Sequence, residues 1–124
     1  METLTKYEET LMRIFWKLKR ALVRDVLNEL PEPKPPYTTL ASNIKLLEKK
    51  GFLDHKSYGK ILEYFPTISQ SDYRKNTFNE LVEDYFDGSV ENVLSFMVKE
   101  KGLSEKDMEE LQKLIDNMGN SSQP

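Results

Sequence analysis

The side chains able to carry out covalent or acid–base chemistry are few. The chain has no cysteine and one histidine, His55. This removes disulfides, iron–sulfur clusters, thiolate zinc sites and cysteine nucleophiles together, and leaves no histidine pair or histidine-plus-base constellation. The carboxylate pairs Glu8-Glu9 and Glu109-Glu110 are the remaining acid/base candidates. Neighbours on a helix point about 100° apart, so both pairs read as solvated surface and not as a catalytic dyad. No enzyme activity, no catalytic residue, no cofactor and no metal is expected. His55 reads as an exposed or strand-edge residue with a structural role.

A different chemistry, the reading of a nucleic acid, fits residues 37–51, YTTLASNIKLLEKKG. Leu40, Ile44 and Leu47 recur at helical spacing, and Gly51 supplies the stop. With Leu40 as zero, these three lie at about 0°, 40° and 340°, whereas Thr38, Ser42, Lys45 and Lys49 lie at about 160°, 200°, 140° and 180°. Short hydroxyl side chains let a helix enter the major groove closely, and lysines reach guanine edges or phosphates. The candidate DNA-binding residues are Thr38, Ser42, Lys45 and Lys49 of this stripe, their helix neighbours Thr39 and Asn43, and Lys60 further on. The stripe alone is weak evidence, since most stripes of this kind are merely wet helix faces.

The elements that must position this helix can be read on either side of it. Thr5-Lys6-Tyr7-Glu8 has the form of a capping box, so a helix should begin near residue 6, with Leu11, Met12, Phe15 and Trp16 on one core face. Trp16 reads as a packing anchor and not as a stacking platform. Val23, Val26, Leu27 and Leu30 predict a second, shorter helix ended by Pro31. Four of the six prolines lie within residues 31–36, which makes that segment a stiff connector. After the basic helix, residues 52–56 and 61–65 read as a hairpin, with Gly59 in a turn spanning 57–60. Helix, helix, basic helix and hairpin is the order of a winged helix-turn-helix domain, whose wing lies along the phosphate backbone.

Beyond Pro66 the chain changes character. Residues 1–67 hold 12 Lys+Arg against 9 Asp+Glu, a net of +3, and residues 68–124 hold 6 against 12, a net of −6. The split suggests a phosphate-binding module joined to something else. Three further helices are predicted: one capped by Ser71 or Asp72, one capped by Ser89, and one starting near residue 103. Their stripes carry Tyr73, Phe78, Leu81, Val82, Tyr85 and Phe86, then Val93, Leu94 and Met97, then Met108, Leu111, Leu114 and Ile115. Three helices in so short a span cannot bury such broad stripes against one another, so a homodimer through these residues is expected. The alternative is a closed monomeric three-helix bundle. The fold class is thus mainly α with a small β-hairpin wing. The expected organisation is a winged-helix DNA-binding domain at 1–67, a helical dimerisation domain at 68–119 and a disordered tail at 120–124. No apolar run approaches the roughly 18 residues that span a bilayer, and METLTKYEET is polar and acidic where a signal peptide is basic and then apolar, so a cytoplasmic location is expected.

The residues resemble the penicillinase-repressor (BlaI/MecI) family of winged-helix repressors through nearly the whole chain. The resemblance is carried by Leu4-Thr5 with Glu8 and Met12, Phe15-Trp16, Val26, the run from Tyr37 to Gly51, Gly59-Lys60 with Tyr64 and Pro66, Phe86-Asp87-Gly88-Ser89, and Leu103-Ser104 with Glu109 and Leu111. It implies a homodimer on a double-stranded DNA operator, repressing a resistance or stress operon. It also implies release by proteolysis through a membrane sensor metallopeptidase. Lys45 and Lys60 stand where many relatives have arginine, Leu22 replaces a hydroxyl residue before the second helix, and Ser95-Phe96 is the nearest counterpart of the Asn-Phe bond cleaved in relatives. The cysteines of the copper-responsive branch are absent. Two rival readings are a ligand-responsive regulator, with a pocket lined by Tyr73, Phe78, Tyr85 and Phe86, and a winged-helix protein-interaction adaptor that does not bind DNA.

Overall fold

The computed structural model describes residues 3–121, with side chains throughout that span save at 101, 115 and 118–121. Six helices and one hairpin follow in the order α1 (Lys6–Leu18), α2 (Val23–Glu29), α3 (Tyr37–Lys49), β1 (Leu53–Tyr58), β2 (Ile61–Pro66), α4 (Gln70–Phe86), α5 (Val90–Lys101) and α6 (Glu105–Ser121). Two compact units result, Met1–Lys75 and Asn76–Pro124. The division falls inside α4, eight residues beyond the expected junction at 67/68. The segment 120–124, expected as a disordered tail, begins inside α6, and its last three residues lie outside the described span.

The capping box that opens α1 forms as the sequence predicts: Glu8 N–H donates to Thr5 Oγ1 at 3.1 Å, and Thr5 N–H donates to Glu8 Oε1 at 2.9 Å. Leu11, Met12 and Phe15 are then fully buried, while Trp16 is half-buried and its indole N–H donates to the Ile68 carbonyl at 2.9 Å. Before α2, Leu22 has no side-chain oxygen to offer, and Asp25 supplies half of the cap by accepting from Leu22 N–H at 2.9 Å. At the other end, the Lys34 ammonium donates to the carbonyls of Leu30 at 2.6 Å and Leu27 at 3.0 Å. A cation there satisfies the carbonyls that a helix C-terminus leaves unpaired. Leu40, Ile44 and Leu47 of α3 are all 0% exposed, which fixes the rotation of that helix about its axis.

β1 and β2 pair antiparallel from Leu53↔Pro66 to Tyr58↔Ile61. The strands therefore run further than expected. Ser57 and Tyr58 belong to the ladder, and the turn shrinks from four residues to Gly59-Lys60. Gly59 takes φ +64° at the first turn position, which suits two-residue hairpin loops and strains any residue with a Cβ. Ala21, between α1 and α2, adds a bridge to the hairpin: its N–H donates to the Tyr64 carbonyl at 2.9 Å, and Tyr64 N–H donates back at 2.8 Å. Tyr64, Phe52 and Leu53 complete the core from the hairpin side.

One expectation fails at Glu8. It is 6% exposed, and its carboxylate accepts both oxygens' worth of contact from the Lys50 ammonium, at 2.9 and 2.8 Å. Glu9 is half-buried and accepts from the Tyr73 hydroxyl at 3.0 Å. The pair is not solvated, because the capping box folds Glu8 back over the helix start and Lys50 arrives from 42 residues away. Burial raises the carboxyl's pKa, but hydrogen bonds and charge from Lys50, with those from Thr5, outweigh it and hold Glu8 below the ordinary value. A depressed carboxylate contributes stability that is present above its unfolded pKa of about 4.3 and lost as pH falls through the folded value. Denaturant midpoints should therefore fall below about pH 4.5 more steeply in the parent than in Glu8→Gln, which at pH 7 should be destabilised by about 1–3 kcal/mol. Parallel slopes in the two proteins would remove this pair from the acid response.

In the second unit, Ser89 Oγ accepts from Asn92 N–H at 3.1 Å, as the sequence predicts. Ser104 and Asp107 cap α6 reciprocally, at 3.1 and 3.2 Å, and Gly102 ends α5 in the left-handed region at φ +61°. The cap of α4, which lies still in the first unit, is Ser69, whose Oγ accepts from Asp72 N–H at 3.1 Å, and not Ser71 or Asp72. Asp72 instead occupies the first turn, where the helix dipole favours an acid. Among the described residues no helix is long and apolar enough to cross a membrane.

Candidate nucleic-acid interface

The burial of Leu40, Ile44 and Leu47 turns Thr38, Ser42, Lys45 and Lys49 outward, and all four are exposed. Between the start of α2, α3 and the wing lies a groove of about 440 Å³. Arg24 from α2, Tyr37, Ala41 and Lys45 from α3, and Lys60 from the turn line it. No carboxylate is among its lining residues. Three cations from three elements thus converge on one concave surface with no acid to neutralise them, a lining that attracts phosphate and raises local anion concentration.

The seven predicted contact residues divide. Lys45 and Lys60 share the groove, and Thr38, Ser42 and Lys49 are exposed on α3 outside its lining. Thr39 and Asn43 are on another flank. They line a separate hollow of about 420 Å³ with Tyr7, Thr10 and Pro31, Pro33 and Pro35 of the connector, and Asn43 is half-buried. At 260° and 300° on the helix they face α1, which the angular arithmetic already implies. Sequence reasoning missed Arg24 and Tyr37. Both are exposed, and Tyr37 is the first residue of α3, at the angle that faces the wing.

The groove's floor is stiffened by the hairpin. Tyr64 is 2% exposed, and its phenol is raised above the ordinary tyrosine value by burial first, then by the charges of Glu48 and Tyr37. His55 is half-buried on β1, and its Nδ1 is hydrogen-bonded to Glu48 Oε2 on α3. The structural role expected of this histidine takes the form of a tie between the basic helix and the first wing strand.

The residues expected at a dimer interface are distributed over both units. Tyr73 packs on the first: its ring lies 5.4 Å from Trp16 and 6.0 Å from Phe52. In the second unit, Val82 alone of the described apolar residues is buried. Phe86, Val93, Leu94, Met97 and Leu111 are half-buried, and Phe86 meets Phe96 edge-on at 5.5 Å. Phe78, Leu81, Tyr85, Met108 and Leu114 are exposed, Tyr85 by 77% and Leu114 by 60%. The side chain of Ile115 lies outside the described residues.

Comparison with known proteins assigns this arrangement. A family profile described as penicillinase repressor matches residues 4–117. The methicillin resistance regulatory protein MecI of Staphylococcus aureus is 28% identical over 109 residues, which cover 87% of this chain and 89% of that protein. The penicillinase repressor of Bacillus licheniformis is 24% identical over 115 residues, covering 91% and 89% respectively. The solution structure of the DNA binding domain of the repressor BlaI matches with a TM-score of 0.50 at 28% identity, covering 59% of this chain and 94% of that domain. A winged helix-turn-helix built as described, continued by helices that the family profile also spans, belongs to the penicillinase repressor family, whose members are transcriptional repressors and not enzymes.

Proposed function

We propose that the chain binds a two-fold DNA operator as a homodimer, with α3 in the major groove and the wing along the backbone. The observation that carries this reading is the acid-free groove in which Arg24, Lys45 and Lys60 converge beside the exposed stripe of α3. The exposed apolar residues of α4 and α6 support a second copy as the cover of the C-terminal unit, since a soluble monomer rarely leaves so many large apolar side chains uncovered on so few residues. By analogy with the relatives named for methicillin resistance and penicillinase repression, the controlled genes belong to a resistance operon and the chain acts in the cytoplasm. Release follows from a cut in α5 by a membrane sensor metallopeptidase. Ser95 and Phe96 are exposed there, and Gly102 ends the helix close by, where local opening can present the backbone to a protease.

The test is fluorescence anisotropy on a duplex from the chain's own promoter region and on an unrelated duplex, across a range of salt. Lys60→Ala should weaken both alike and lower the salt slope by about one, because a residue on the wing tip meets phosphate. Ser42→Ala or Lys45→Ala should instead cost about 1–3 kcal/mol on the promoter duplex and relax its preference, if the side chain meets a base edge. An unchanged slope in Lys60→Ala would take the wing out of the interface.

A further inference from the structure

We infer that Glu48, Asp54 and His55 form a binding site for a divalent first-row transition ion of the zinc class, between the last turn of α3 and the first wing strand. One donor atom from each residue, a ring nitrogen of the imidazole and a carboxylate oxygen of each acid, lies within 4.8 Å of the other two. Among the described residues this is the one such cluster that includes an imidazole.

The donors are held by the fold. Glu48 lies in the last turn of α3, and Asp54 and His55 follow Leu53 at the start of β1. The reversal between them is pinned by Phe52 N–H on the Leu47 carbonyl at 3.0 Å and by the Thr67 hydroxyl on the Gly51 carbonyl at 2.5 Å. The His55 ring lies 5.6 Å from that of buried Tyr64, which limits its rotation. Asp54 Oδ1 accepts the His55 backbone N–H at 2.7 Å, orienting that carboxylate while leaving its other oxygen for a ligand bond. Such outer hydrogen bonds and packing fix the direction of metal ligands.

The donor set selects the ion. One neutral imidazole and two carboxylates carry two negative charges, which a dication neutralises. Without a thiolate the site does not favour copper(I), and an imidazole nitrogen favours zinc, cobalt or nickel over magnesium or calcium. Zinc bonds of about 2.0–2.2 Å to nitrogen and oxygen put tetrahedral donors about 3.4 Å apart. Small side-chain rotations reach that spacing, with the ion taking the place of the direct Glu48–His55 hydrogen bond. Asp54 is exposed and the other two are half-buried, so an ion can enter and a water can fill the fourth position.

Cobalt(II) added alone to the full chain, with visible absorption as the readout, and zinc(II) in equilibrium dialysis test the assignment. The expected result is one ion per chain, with cobalt d–d bands. His55→Gln and Asp54→Asn should each weaken binding by more than about tenfold, since loss of an orienting partner alone costs a metal site about 10- to 100-fold. Far-ultraviolet circular dichroism of the ion-free variants shows whether they fold, and exposed Asp54 tolerates substitution should His55 not. No saturable uptake below about 1 mM of either ion, a value near the weak limit of specific binding, would overturn the inference. So would binding undiminished in both folded variants, which would locate the ion elsewhere on the chain.

Discussion

Truncated after Val98, the chain should bind its operator two to four orders of magnitude more weakly than the full chain, close to its affinity for unrelated duplex. In the proposed complex each protomer grips one half-site, and the C-terminal helices hold the two grips together. Linkage of this kind turns the second binding event into an intramolecular one and is worth about 10²- to 10⁴-fold without any new contact. The truncation removes all of α6, including Met108 and Leu114, which are exposed at 43% and 60%, and half-buried Leu111. The first unit should be untouched, because its core residues, Leu4 through Tyr64, all precede the cut. Circular dichroism and sedimentation of the truncated chain should therefore report a folded monomer. Full affinity after truncation would end dimer-breaking as the release mechanism.

Phe15→Ala should lower stability by about 3–5 kcal/mol, the range for emptying a closed aromatic site. Phe15 is 0% exposed in a cluster with Leu11, Met12 and Val26. A domain of this size is held by only about 5–15 kcal/mol in all, so the variant should be partly unfolded at 37 °C. The loss should be the same at every protein concentration. Leu114→Ala is the informative contrast. On a lone chain a side chain so exposed should matter by less than about 0.5 kcal/mol, whereas within a dimer its loss should lower the melting temperature and steepen the concentration dependence of melting. Thermal unfolding at two concentrations a hundredfold apart separates these cases, and a concentration-independent melt for parent and variant alike would remove the dimer.

Local signals in the sequence were enough for most of the first unit. The Thr5/Glu8 box, the Leu40–Ile44–Leu47 spacing and the Gly59 turn each depend on residues within a few positions of one another; the first two form as read, and the turn forms at Gly59 but with two residues in place of four. What depended on distant partners was not legible. Glu8 appears as surface until Lys50 closes on it, and the tie between His55 and Glu48 exists only because the chain reverses at Gly51. Arg24 has no periodic signature of its own, as a polar residue on a short helix, and the groove it lines is made by three separated segments. Tyr73 fits the apolar stripe of α4, yet periodicity cannot say which body a helix packs against, and its ring goes to Trp16. Ser69, Ser71 and Asp72 are all good caps, and the helix starts at the earliest of them.

Selection of bound duplexes from a random-sequence pool by the full chain tests the central claim most directly. Two identical recognition helices related by a two-fold axis must select an inverted repeat, because the symmetry of the protein is written into the site it prefers. Enrichment of such a repeat, lost when Arg24, Lys45 and Lys60 are all replaced by alanine, is the expected result. Recovery of a pool no different from the starting one, or of a single asymmetric half-site, would contradict it.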